Sequence, residues 1–288
     1  MEIAVYQADV FTKKINQGNP AGIVPAADNL TTDQMQKIAA EMGFNETVFI
    51  LTSEECTAEF RYFTPGHETP LCGHATIGGV RYLLDAGLIQ EHALLKTEVG
   101  PIEIKINADA LTMAQSQPKQ TPFLSSKKEL CNVLNIQEAD LLEDLPIEYG
   151  NTGSWTLLVP VKSEAVLAKM VPQTLRFPEV LKEIPRSSIH PFTILDQEQR
   201  LFSARHFSSP YSKTIEDPVT GTASGVMAAY CQRYLYPEKN PLTISIQQGR
   251  YLKRPGQLLA TATKAAGKTF IEITGTAIMN PQVKKINL

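Results

Sequence analysis

The sequence predicts an α+β protein of two pseudo-symmetric lobes, each a mostly antiparallel, curled β-sheet around one central helix. Three observations carry this. The 288 residues suffice for one large domain or two of about 140. An ordered series of landmarks recurs half a chain apart. Two segments at matched positions in that repeat read as helices that are small and apolar nearly all round, and such helices are buried.

The repeat starts with Arg61-Tyr62-Phe63-Thr64-Pro65, which resembles Arg205-His206-Phe207-Ser208-Ser209-Pro210 at an offset of 144. The same offset carries Val48, Ile50 and Leu51 onto Phe192, Ile194 and Leu195. Beyond a four-residue insertion, Gly73-His74-Ala75-Thr76 lies over Gly221-Thr222-Ala223-Ser224, and Tyr82 over Tyr230, at offset 148. Gly100 falls on Gly249. A period this long excludes a solenoid and predicts a duplication, with a pseudo-two-fold axis and a cleft between the copies. The boundaries follow: an N-terminal lobe over 1–116, a C-terminal lobe over 117–277, and a last segment, 278–288, that crosses back to the first lobe.

Each element has a local reason. Residues 31–42 read as a helix, because Met35, Ile38, Ala39 and Met42 recur at helical spacing. Thr31 with Gln34 forms a capping box, and Gly43 suits the stop. Residues 47–51, 58–63, 93–99 and 102–106 read as strands; in the last, Ile102, Ile104 and Ile106 alternate with Glu103 and Lys105. Val99-Gly100-Pro101 is expected to break that pair. The central helices are 75–86, with Gly78 and Gly79, and 223–235, with Gly225, Ala228 and Ala229. Strands at 242–248, 257–263 and 269–275 finish the second lobe, and Trp155 is expected to pack in its first strand.

Composition narrows function. Hydrophobic residues make up 43% and charged residues 20%, as in a globular chain. A net charge of −3, with no basic stripe, argues against nucleic-acid binding. No apolar run is long enough to span a bilayer, and residues 1–6 carry no export signal, so no membrane association is expected. The four cysteines form no C-x-x-C pair, which fits a reducing cytoplasm. His67 and His74 have no third ligand at a recognisable metal spacing, and no metal is expected. Gly73-x-x-x-x-Gly78-Gly79 is neither a dinucleotide fingerprint nor a P-loop.

Polar residues gather just before both central helices, at Pro70-Leu71-Cys72-Gly73-His74-Ala75-Thr76 and at Asp217-Pro218-Val219-Thr220-Gly221-Thr222-Ala223-Ser224. In each, a glycine lets backbone approach a ligand, and the free first-turn N–H groups and helix dipole favour an anion. Two such mouths at matched positions predict a small carboxylate-bearing substrate; one alone would be ordinary capping. Glu46 follows a helix stop and enters the strand Val48-Phe49-Ile50-Leu51. Partly desolvated there, it could take and return a proton, although from these residues alone an ordinary surface or capping glutamate is the better reading. Its repeat partner is His190. Cys72 sits where a helix N-terminus lowers a thiol pKa, but a lone cysteine there is more often a plain buried hydrophobe.

The runs Gly18-Asn19-Pro20-Ala21-Gly22, Asn45-Glu46-Thr47-Val48-Phe49, Phe63-Thr64-Pro65-x-x-Glu68-x-Pro70-x-x-Gly73-His74, Glu216-Asp217-Pro218-Val219-Thr220-Gly221 and Gly275-Thr276-Ala277 together resemble the PhzF-like (phenazine biosynthesis) isomerase family, whose fold is shared with diaminopimelate epimerase. The resemblance implies a homodimer and acid–base isomerisation without metal or cofactor. It implies that Glu46 is the catalytic acid/base, that His74 and Asp217 contact substrate, and that Gly73 and Gly221 supply backbone donors. Thr222 stands where the family member of phenazine synthesis has serine, which adds a methyl group to that pocket. The epimerases use two thiols, one before each mouth glycine. Here the positions hold Cys72 and Thr220, and an alcohol is too weak an acid to replace the second thiol.

The sequence therefore predicts an isomerase of a small carboxylated metabolite, cyclic ones included, with Glu46 shuttling the proton and His74, Asp217, Gly73, Gly221 and Thr222 binding substrate. Two alternatives are an amino-acid epimerase or racemase using Cys72, and a small-molecule binding protein that kept the fold without the chemistry. The resemblance names no substrate and does not require a part in phenazine synthesis.

Overall fold

A computed structural model describes residues 1–212 and 214–288. The chain folds into two compact units, Met1–Ala114 with Thr274–Leu288, and Gln115–Ile273. The fold is α+β, with sheets of mainly antiparallel pairs in both units.

The first unit contains β1 (Glu2–Val10), β2 (Asn19–Val24), α1 (Thr32–Met42), β3 (Thr47–Leu51), β4 (Ala58–Phe63), the two-residue β5 (Glu68–Thr69), α2 (Gly73–Asp85), β6 (His92–Thr97), β7 (Gly100–Asn107) and β8 (Ala110–Gln115). The last strand of the chain, β17 (Ala277–Asn287), pairs antiparallel with β1. From β1 outward the pairings run β1–β2 antiparallel, β2–β3 parallel, β3–β4 antiparallel, β4–β6 parallel and β6–β7 antiparallel.

The second unit contains β9 (Lys119–Pro122), α3 (Lys127–Leu134), β10 (Glu148–Asn151), β11 (Trp155–Pro160), the short helices α4 (Glu164–Lys169) and α5 (Phe177–Val180), β12 (Ser188–Asp196), β13 (Leu201–Ala204), α6 (Gly221–Tyr234), β14 (Leu242–Gln248), β15 (Gly256–Ala265) and β16 (Lys268–Gly275). Its pairings repeat the series of the first: β10–β11 antiparallel, β11–β12 parallel, β12–β13 antiparallel, β13–β14 parallel and β14–β15 antiparallel. This shared alternation is the structural form of the sequence repeat.

The helices form for the reasons the sequence offers. Thr31 accepts from the Gln34 amide, Gln34 answers at the Thr31 amide, and Gly43 stops α1 at φ 72°. In α2, Ala75, Thr76, Ile77, Gly78, Gly79, Val80 and Leu83 are buried. Its glycines admit the sheet: a Cβ on Gly79 would stand 2.6 Å from the Phe60 ring, and one on Gly78 would stand 3.0 Å from the Ala8 methyl. Around α6 both the helix and a strand supply a small residue: a Cβ on Gly225 would stand 2.9 Å from Ile271 Cγ2. A Cβ on Gly150 of β10 would stand 2.1 Å from Val226 Cγ1.

Two local expectations shift. Gly100 and Pro101 do not break the hairpin; they begin β7, with Gly100 at φ 107° opposite Thr97, and the reversal falls at Glu98 and Val99. Trp155 opens β11, after β9 and β10, and packs partly buried against the core of the second unit. Among the described residues no helix is long and apolar enough to cross a membrane.

Candidate active site

In the first unit, α1 stops at Gly43 and two residues, Phe44 and Asn45, lead to Glu46, just before β3. Glu46 is pinned by its backbone, whose carbonyl accepts from the Gly22 amide at 3.1 Å. Its carboxylate reaches the start of α2, where Oε2 stands 3.4 Å from His74 Nε2. The His74 side chain is only 10% exposed and that of Glu46 23%. Burial pushes the imidazole pKa down to about 4, and a hydrogen bond to the Pro20 carbonyl offsets only part of this, so His74 is neutral at neutral pH. His74 Nε2 itself makes no hydrogen bond. The contact with Glu46 is therefore a close approach rather than an ion pair, and a carboxyl that gained a proton could donate to that nitrogen.

Cys72 is the N-cap of α2, and its Sγ lies 3.4 Å from the other ring nitrogen of His74, Nδ1. Its carbonyl accepts from Thr76 Oγ1 at 2.7 Å, and Thr76 Oγ1 pairs with Tyr62 Oη at 2.7 Å. Thiol, imidazole and carboxyl thus stand in a row. Nothing lies within 4 Å of where a Cβ on Gly73 would stand, so the space over this first-turn residue is open. The glycine is not demanded by packing.

In the second unit, the loop before α6 holds Asp217 and Thr220. Thr220 Oγ1 donates to Asp217 Oδ2 in a short hydrogen bond. The Asp217 amide donates to the His206 carbonyl at 2.9 Å. Thr222 Oγ1 lies 3.3 Å from Ser154 Oγ, and the Thr222 carbonyl accepts from Thr152 Oγ1 at 2.9 Å. Gly221 is the first residue of α6. Ser224 Oγ donates to the Thr220 carbonyl at 2.8 Å, repeating the Thr76–Cys72 contact.

Three features escaped the sequence reading. Gln248, at the end of β14, donates to the Asp217 carbonyl at 2.8 Å and accepts from the Thr220 amide at 3.2 Å, so one buried side chain clamps the loop. Arg61 and Glu68 form a two-pronged pair at 2.7 Å each. Arg205 and Glu216 repeat it at 2.9 and 2.6 Å. The repeated arginines were visible in the sequence, and each pairs with a glutamate of a quoted motif, so the signal was present and unread. Finally His190, the repeat partner of Glu46, is fully buried and meets His206, Nδ1 to Nδ1, at 3.2 Å. Burial lowers both pKa values, that of His206 to about 4, and the neighbouring imidazole lowers His190 further. The structure therefore sets a carboxylate beside a helix mouth in the first unit and a neutral imidazole pair at the matched position of the second.

The chain resembles known proteins over nearly its whole length. The model of the phenazine biosynthesis-like protein family (PhzC-PhzF) matches residues 8–282. The uncharacterized isomerase YfhB of Bacillus subtilis is 42% identical over 285 residues, with 96% of each chain covered. The trans-2,3-dihydro-3-hydroxyanthranilate isomerase of Pseudomonas chlororaphis is 30% identical over 278 residues, with 94% of each covered. A crystal structure of a PhzF-family phenazine biosynthesis protein from Bacillus anthracis superposes with a TM-score of 0.96 at 42% identity, covering 100% of both chains. With the paired units and both helix mouths in place, these matches establish that the chain belongs to the PhzF-like family of isomerases.

Proposed function

We propose that the protein isomerises a small carboxylated metabolite, cyclic substrates included, with Glu46 as the single acid–base group. The observation that carries this is the carboxylate of Glu46 held 3.4 Å from a buried, neutral His74 at the first turn of α2. The carboxylate takes a proton from one substrate carbon, and the electron pair left behind delocalises toward an adjacent unsaturated group. The carboxylic acid then returns the proton to a second carbon. Between the two steps its O–H can be accepted by His74 Nε2, which stabilises the protonated form without competing as a charged acid. His74 in the first unit and Asp217 in the second are the residues proposed to orient polar substituents, and the first-turn N–H groups at Gly73 in the first unit and at Gly221 and Thr222 in the second are those proposed to bind the substrate carboxylate and the developing negative charge. Neither a metal nor a cofactor takes part in this scheme. The family resemblance supports a homodimer, and the free cysteines fit a cytoplasmic setting.

Dihydrohydroxyanthranilate, the compound in the name of the Pseudomonas relative, is the first substrate to offer. Glu46→Gln should lower kcat by about 10²–10⁴-fold while leaving the fold intact. Full activity in that variant would end the scheme.

A second reading is favoured by the 3.4 Å contact between Cys72 Sγ and His74 Nδ1. It makes Cys72 the base of an amino-acid epimerase or racemase. Thr220, the repeat counterpart of Cys72, speaks against a symmetric two-thiol mechanism. Cys72→Ser separates the two readings, since only the epimerase loses most of its rate. A single-base shuttle also retains more substrate hydrogen in D₂O than two bases open to solvent.

A further inference from the structure

Three chemically different donors meet in the first unit. One atom each from Glu46, Cys72 and His74 lies within 4.8 Å of the other two. His74 Nε2 is buried, faces Glu46 Oε2 at 3.4 Å and has no hydrogen bond. A buried ring nitrogen without a partner is uncommon in folded proteins, and an ionised carboxylate can only accept. A positive centre between that nitrogen and the carboxylate would satisfy the nitrogen. A proton is one such centre, and a cation is another.

We propose that Glu46, Cys72 and His74 form a three-donor site for a borderline-soft divalent cation of the zinc class, and that occupation of this site silences the protein. Nitrogen, thiolate and carboxylate oxygen are the donors that zinc takes, at about 2.0–2.3 Å. Tetrahedral angles at those bond lengths put donors about 3.3–3.6 Å apart. The His74–Glu46 and Cys72–His74 contacts are each 3.4 Å. Those two contacts use different ring nitrogens, so a single ion requires the third donor to swing in, and the 4.8 Å limit on the widest separation makes that a side-chain rotation rather than a refolding. Magnesium and calcium fit poorly, because they demand six or more oxygens and the trio supplies one carboxylate. The open space over Gly73 leaves room for a fourth ligand such as water.

Binding is not redox chemistry. The Cys72 thiol releases one proton to solvent, and its sulfur lone pair bonds the ion. A divalent ion with one thiolate and one carboxylate carries no net charge, which suits a position beside the positive end of α2. The inhibitory consequence rests on the proposed shuttle: a Glu46 oxygen committed to the ion cannot take a proton, and His74 cannot accept from it. The sequence conceals this site because Glu46 stands 26 residues before Cys72, outside any local ligand spacing.

The test is a Co²⁺ titration of the full chain, reduced and free of chelators. The site predicts a near-ultraviolet thiolate-to-cobalt charge-transfer band and intense visible bands of four-coordinate cobalt, saturating at one equivalent and displaced by Zn²⁺. Cys72→Ser should abolish the charge-transfer band. Glu46→Gln should weaken cobalt binding by about tenfold or more. Cys56→Ser, at the half-exposed cysteine, should change nothing. Weak six-coordinate bands without charge transfer, or a charge-transfer band that survives in Cys72→Ser, would overturn the site. No substrate enters this titration. Full cobalt spectra from a protein whose Glu46→Gln variant keeps its turnover would sink the shuttle and leave the metal site, and lost spectra with an intact shuttle would do the reverse.

Discussion

Arg205 and Arg61 make the same two-pronged contact in different surroundings, and the difference decides what each is worth. The Arg205 and Glu216 side chains are 8% and 7% exposed, and Arg205 Nη1 also donates to the carbonyls of Leu167 and Met170. The Arg61 and Glu68 side chains are 26% and 30% exposed. Arg205→Ala leaves Glu216 buried without its counter-charge and should cost about 3–5 kcal/mol. Arg61→Ala should cost about 1 kcal/mol or less, since water reaches its partner. Urea unfolding of the two variants checks the contrast, and equal losses would refute it. Gly73 supplies a second test at this scale. A methyl group there meets open space at the start of a helix, so Gly73→Ala should leave the melting temperature nearly unchanged. If that space receives substrate, the same variant raises KM. An unchanged KM would show that the space over Gly73 is not used.

Elements were the most legible level of this sequence. The bounds of α1, β3, β4 and β14 could be read from capping residues and alternation, because those signals act over a few neighbouring residues. The buried character of α2 and α6 could be read from their small residues, but not which partner each glycine admits. Each contact joins a helix to a strand distant in sequence: Phe60 of β4 against Gly79 of α2, and Val226 of α6 against Gly150 of β10. Gly79→Ala gains about 1 kcal/mol of helix propensity, yet its methyl must displace the Phe60 ring. Overpacking of this kind costs about 1–3 kcal/mol, so a net loss is expected. Gly150→Ala has no helical gain to offset a contact of 2.1 Å and should lose more. Chemical denaturation of both variants ranks them, and a stabilised Gly79→Ala would show that the ring yields freely.

At the scale of the molecule, the duplication was visible and its chemical divergence was not. Glu46 and His190 were aligned by number alone. Only the fold shows that the first approaches a helix mouth while the second turns inward to His206, because inward or outward direction depends on the pairing of β12 with β11 and β13. Glu46 with His74 and Cys72 could be listed as separate candidates, but their convergence needs the tertiary fold. The histidine pair has a consequence for acid tolerance. Each has a folded-state pKa below its unfolded value near 6.5, so the unfolded chain binds more protons between the two. The contribution of His206 is fully present above about pH 6.5 and is lost as pH falls toward 4, on the order of 3 kcal/mol, and the lowered pKa of His190 acts in the same direction. Urea midpoints at pH 7 and pH 4.5 measure this loss. His206→Gln, which cannot ionise, should flatten the slope, and an unchanged slope would assign the acid sensitivity elsewhere.

The pairing of β1 with β17 sets an order on biogenesis. Glu2 of the first strand opposes Asn287 of the last, and Val5 and Ile286 lie in one apolar cluster. A nascent chain leaving the ribosome must therefore translate the whole of Gln115–Ile273 before its opening strand meets this neighbour. The second unit, continuous in sequence, can mature first, while the earlier-made segment waits with one edge uncovered. Protease pulses on stalled nascent chains would show the middle of the polypeptide becoming resistant before its beginning.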